Sequence, residues 1–88
     1  MYKNTLRTAP LQLPDGRNAE SLRLAPLFHE LARLRIPGIN ANLGKQDLIA
    51  KYEAAVISKA EALQRNSKTK GTINQFMREA ADQIGAAA

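Results

Sequence analysis

Gly44-Lys45-Gln46-Asp47 opens a long segment of helical apolar periodicity, setting a lysine beside the unpaired N–H groups of a first helical turn. That combination attracts anions. A second place of the same kind is Asn66-Ser67-Lys68-Thr69-Lys70-Gly71-Thr72, where two lysines, hydroxyls and a glycine precede another helix. Arg33, Arg35 and Arg65 flank these two junctions. The chain carries a formal net charge of +5, and residues 63–74 hold Arg65, Lys68 and Lys70 with no acid among them. In a small basic protein the anion this points to is a nucleic-acid phosphate. The bland alternative for residues 66–72 is a solvated turn, since connecting loops are polar anyway.

Catalytic chemistry is poorly served. His29 is the single histidine, and there is no cysteine, so neither a metal site nor a catalytic constellation can be assembled around it. It reads as a surface or edge residue of the first helix. The acids are scattered, mostly at helical spacing from bases. Gly38 and Gly44-Lys45 look superficially like a phosphate loop, but the glycines are one residue too far apart. Gln46 also replaces the hydroxyl residue that would bind magnesium, and helix rather than strand precedes the loop. No enzyme activity, cofactor or metal is expected.

Length and composition bound the elements that must position these residues. Eighty-eight residues make one domain, which buries only about 60–65% of its unfolded surface. The aromatics are few (Tyr2, Phe28, Tyr52 and Phe76), so base-stacking is not expected and any nucleic-acid contact would be phosphate-led. Fifteen alanines favour closely packed helices. No apolar run approaches the roughly 18 residues that span a bilayer, and the first twenty residues lack a signal-like core. The default expectation is a cytoplasmic protein.

Periodicity predicts an all-α fold, a small three-helix domain over residues 19–88, behind an extended or partly disordered arm over residues 1–18. In the arm, Leu11 and Leu13 alternate with polar neighbours and Pro14-Asp15-Gly16 signals a turn. The expectation is an arm packed loosely on the helices, with a strand of a small hairpin as the alternative. The first helix carries the stripe Leu24, Leu27, Phe28, Leu31, Leu34. Pro26 fits its first position, unless an earlier start near Asn18 is broken there into two pieces. Pro37-Gly38 stops it.

The second helix is expected from about Lys45 to Arg65, with Ile49, Tyr52, Val56, Ala60 and Leu63 on one face. Leu43 and Leu48 are placed for a hydrophobic staple, Asp47–Lys51 and Glu61–Arg65 for acid-first ion pairs, and Asn66 for a left-handed end. In the third helix Thr72 and Gln75 make a capping-box pair. Ile73, Phe76, Met77, Ala80 and Ile84 form its stripe, and Gly85 ends it. The alanines flanking the second helix (Ala50, Ala54, Ala55, Ala60, Ala62) leave room for a second chain.

Residues 24–54 resemble the helix-extended-helix group, which includes SAP domains and the amino-terminal domain of the Rho terminator. A leucine-rich helix ends in Leu34-Arg35-Ile36, a loop follows, and Gly44-Lys45-Gln46-Asp47-Leu48-Ile49 begins the next helix. The resemblance implies nucleic-acid binding, with Lys45 near the phosphate backbone and Leu48 and Ile49 closing the core. Two departures stand out: the second helix runs about ten residues past the usual module, and Pro37-Gly38 falls in the loop.

The leading expectation is therefore a nucleic-acid-binding accessory or regulatory protein, with Lys45, Lys68 and Lys70 on phosphates and Arg33, Arg35 and Arg65 in support. The rival is a protein-binding adaptor or inhibitor of the kind small mobile elements encode. It would act through helical faces that include Tyr52 and Phe76, with a docked partner or a homodimer as the two arrangements open to it. A structural subunit of a larger assembly is the third reading. No membrane partner is expected.

Overall fold

Stripes of apolar residues three and four apart produce three helices, α1 (Leu24–Arg33), α2 (Lys45–Asn66) and α3 (Ile73–Ala87). The computed structural model describes residues 11–67, 71 and 73–87. The fold is all-α, with no strand among the described residues and one isolated antiparallel bridge between Gln12 and Asn18. The three helices bury Leu27 and Leu31; Leu48, Tyr52, Val56 and Ala60; and Ile73, Met77, Ala80 and Ala81. α2 is the central element, packed chiefly on α3 and also on α1. Ala60 of α2 and Ala80 and Ala81 of α3 are buried, so side-chain bulk is low on the inner faces of these two packed helices.

The segment before α1 differs from the loose arm expected through residue 18. Leu11 and Leu13 are 0% exposed and belong to the core. Between them and Ala19 the chain folds back on itself. The Leu13 amide donates to the Arg17 carbonyl at 2.8 Å and the Ala19 amide to the Leu11 carbonyl at 2.9 Å. The reversal is the expected Pro14-Asp15-Gly16 turn, closed by the Gly16 amide on the Leu13 carbonyl at 2.8 Å, with Gly16 at φ 96°. Two leucines on one side of a two-residue alternation thus cap the helices. Residues 1–10 of the expected arm lie outside the described residues.

α1 starts earlier than Pro26 predicts. Asn18 caps a 3-10 turn, Ala19–Ser21, by accepting from the Glu20 amide, and Leu22 and Arg23 are extended before Leu24 begins α1. The first helical bond runs from the Leu27 amide to the Arg23 carbonyl at 3.0 Å. Pro26 therefore sits among residues whose amides have no helical acceptor, and its missing N–H removes nothing. The break in the chain falls at Leu22–Arg23, not at the proline.

The end of α1 also comes before Pro37-Gly38. The Ile36 amide reaches back to the Leu31 carbonyl at 3.1 Å, and the Arg35 amide to the Ala32 carbonyl at 3.0 Å. These two bonds make a Schellman motif, with apolar Leu31 and Ile36 both buried as that motif prefers. Its left-handed position is occupied by Arg35 at φ 59°. Glycine normally stands there, because a Cβ is crowded in that conformation.

α2 begins at Lys45 as expected, behind an extended Gly44, and runs one residue past Arg65. Its fully buried line is Leu48, Tyr52, Val56 and Ala60, while Ile49 and Leu63 lie half-buried at the flanks. Asn66 is helical and not left-handed; the chain leaves α2 through an extended Ser67. Neither Asp47–Lys51 nor Glu61–Arg65 closes to ion-pair distance, in keeping with the small gain such exposed pairs offer. In α3, Gly85 is interior, since the helix continues to Ala87. Its missing side chain has a different cause: a Cβ there would lie 2.6 Å from the Pro14 Cβ. Thr72 of the expected capping box lies outside the described residues.

Candidate binding surfaces

The two junctions expected to hold anions lie at the two ends of α2. α2 spans 22 residues, about 33 Å at 1.5 Å per residue. Lys45 stands at its first position and Arg65 in its last turn, so the junctions that begin α2 and follow it are at opposite ends of the longest element. Lys68 and Lys70 themselves lie outside the described residues.

Lys45 is half-buried and shares a shallow depression of about 340 Å³ with Glu20, Gln46 and Ile49. An acid from the 3-10 turn therefore stands beside the lysine at the helix start, which weakens the positive field there. Arg33 is committed within the chain. Its guanidinium pairs with the Glu30 carboxylate, which Arg17 also approaches at 3.4 Å. Hydrogen bonding and attraction from Glu30 hold Arg33 above its ordinary pKa. Asp15 accepts from the Arg17 amide at 3.0 Å and from its guanidinium at 2.6 Å, and these contacts, the amide foremost, lower its pKa. Arg17, Glu30 and Arg33 are thus a local network that locks the turn to α1.

Of the two expected partner contacts, Tyr52 is corrected by its position. The ring is 0% exposed and its hydroxyl donates to the Gln12 carbonyl at 2.6 Å, so it has no surface to present. Burial pushes its phenol above the ordinary range. Phe76 is half-buried against the core. His29 is exposed, its ring set edge-on to Phe28 with centroids 6.4 Å apart. Among the described residues no group of three or more His, Cys, Asp or Glu is close enough to hold a metal, and no helix is long and apolar enough to cross a membrane.

What the fold does bring together is Arg35 and Lys59. Both line a groove of about 460 Å³ between the end of α1, the middle of α2 and the end of α3. Its apolar walls come from Leu34, Ile36 and Pro37 on one side and Ile84 on another, with Ala55, Ser58 and Ala62 of α2 along it. Among the described residues no carboxylate lines it. Lys51, one turn before Ala55 on α2, lies over the adjoining loop, with its Cδ 3.3 Å from where a Gly38 Cβ would stand. Arg35, Lys59 and Arg65 are exposed and have no ion-pair partner among the described residues.

The sequence singles out Arg35 and Arg65 as phosphate contacts but gives Lys59 no such role, and its flanking alanines mark only a general opening for a second chain. Ala55 and Ala62 line the groove, whereas Ala60 is core and Ala50 and Ala54 are exposed. The available signal was the spacing Ala55, Ser58, Lys59, Ala62, small residues with one cation on a single helical face. A second apolar hollow, about 320 Å³, is lined by Leu24, Ala25, Phe28, Ala41 and Leu43, and Leu24 is 47% exposed there. In comparisons with protein families, curated proteins and solved structures, nothing matches this chain.

Proposed function

We propose that this chain is a non-enzymatic binding protein, a small basic adaptor or inhibitor whose working surface is the groove between α1, α2 and α3. The observation that carries this reading is the pairing of Arg35 and Lys59 with Ile36, Pro37 and Ile84 around one concavity that no carboxylate of the described residues lines. Apolar concavities edged by a few charges bind other molecules by burying area while the charges set orientation. The helix starts give less support to phosphate binding, because they lie at opposite ends of α2 and Glu20 accompanies Lys45.

Nucleic-acid binding, in an accessory or regulatory role, stands as the second reading. It is favoured by a specific feature: Arg35, Lys59 and Arg65 are exposed and, among the described residues, without ion-pair partners, in a chain of net charge +5. If three to five phosphates were neutralised, log affinity would fall against log salt with a slope of about −3 to −4.5.

Retention of partners from a lysate of the source cells, with and without nuclease, tests the choice when run on the intact chain and on Ala62→Trp. A nuclease-resistant protein partner lost on filling the groove supports the adaptor. Retention that nuclease abolishes, and that persists in Ala62→Trp but not in Arg65→Glu, overturns it in favour of nucleic acid.

A further inference from the structure

Resting on the adaptor reading, we infer that the groove receives an amphipathic helix of a partner protein whose flanks carry carboxylates. The shape comes first. Ala55, Ser58 and Ala62 give α2 a low surface over two helical turns, about 10 Å, and small side chains let a second helix approach closely. A helix laid there buries anchors spaced i, i+3, i+4 and i+7 against Pro37 and Ile84.

Charge selects the flanks. Arg35 and Lys59 stand on the groove, and among the described residues no acid of its lining offsets them. Of the two arginines at the end of α1, Arg33 is held by Glu30, and Arg35 has no ion-pair partner among the described residues. Arg35 also occupies the left-handed Schellman position at φ 59°, where glycine would relieve the backbone. The chain thus keeps a guanidinium at the groove against local conformational preference. A net charge of +5 speeds encounter with an acidic segment and repels a basic one. A phosphodiester backbone would satisfy both cations but leave Pro37 and Ile84 without an apolar counterpart.

The probe is a labelled synthetic helical peptide with leucines at i, i+3, i+4, i+7 and glutamates elsewhere, titrated against the whole chain by fluorescence anisotropy. A scrambled peptide of the same composition and a lysine-for-glutamate counterpart serve as controls, with single-stranded and duplex oligonucleotides in parallel. The acidic amphipathic peptide should bind at least about tenfold tighter than its scramble, and Lys59→Glu should remove about that factor. Lys59 is exposed, so this variant reports on docking without disturbing the core, and Ala62→Trp, checked by circular dichroism, should abolish binding. Equal binding of the scramble overturns the proposal, because charge alone then accounts for it. If the lysine peptide binds as well and Ala62→Trp blocks both, the groove docks helices and only the acidic occupant is wrong. Failure of all peptides sinks the adaptor reading too. Oligonucleotide binding that Ala62→Trp abolishes assigns the groove to nucleic acid and overturns both.

Discussion

The hydroxyl of Tyr52, midway along α2, donates to the backbone carbonyl of Gln12 at 2.6 Å, joining residues forty positions apart. This bond fastens the folded-back segment that carries Leu11 and Leu13. Tyr52→Phe keeps the ring's packing and removes only the bond, so the variant should be less stable by about 0.5–1.5 kcal/mol at neutral pH. The pH dependence has a definite sign. Burial raises the phenol's pKa from the ordinary 10.0, meaning the folded chain holds that proton more tightly than the unfolded one. The resulting stability is whole below about pH 10 and fades as the pH rises from there towards the folded value. The gap between wild type and Tyr52→Phe should therefore narrow in alkali, as read by urea unfolding at about pH 7 and pH 11. A constant gap would show that the hydroxyl makes no differential contribution.

Leu13 is fully buried in a segment that looks like an arm. Leu13→Ala should lower stability by about 2–5 kcal/mol, the range for emptying a packed leucine site. In a domain of this size that is a large share of the total, so the midpoint of denaturant unfolding should move far to lower concentration. An effect under about 0.5 kcal/mol, typical of surface sites, would mean that the segment is loosely attached after all.

Why the helices were legible and this segment was not follows from what each pattern constrains. Leu27, Phe28, Leu31 and Leu34 repeat with the helical period because one face of α1 meets water, so that much of the stripe records burial, while Leu24 at the helix start is 47% exposed. Leu11 and Leu13 alternate over three residues only, and such a fragment reads equally as an edge or a lid. The end of α1 misled for a related reason. Gly38 advertised the reversal, and it does have φ 81°, but Arg35 had already made the first left-handed step. The groove was least legible of all. Arg35 and Lys59 meet through the packing of one helix end on the middle of another, which no local pattern encodes.

Gly85 gives a prediction that runs against helix propensity. At an exposed interior position, Gly→Ala would gain about 1 kcal/mol. Here a Cβ would fall 2.6 Å from the Pro14 Cβ, so Gly85→Ala should instead destabilise by about 1–3 kcal/mol as the turn is pushed away. The partner can be removed to prove the cause. With Pro14→Gly in the background the clash vanishes, and the same alanine should become neutral or stabilising. A double-mutant cycle on unfolding free energies measures this coupling, and additivity would refute the contact.

Arg35 sets stability and binding against each other. Replacing it with glycine places the residue preferred for a left-handed helix end at φ 59°, and the folded backbone relaxes. Part of that gain is lost because glycine also frees the unfolded chain, leaving a net stabilisation of about 0.5–1 kcal/mol. The variant should thus melt higher by a few degrees than wild type. It should also lose affinity for an acidic amphipathic peptide, since the guanidinium on the groove is gone. A more stable protein that binds less well is the signature of a residue retained for recognition. If Arg35→Gly proved less stable than wild type, the side chain would be contributing to the fold, and the strained backbone would no longer point to a binding role.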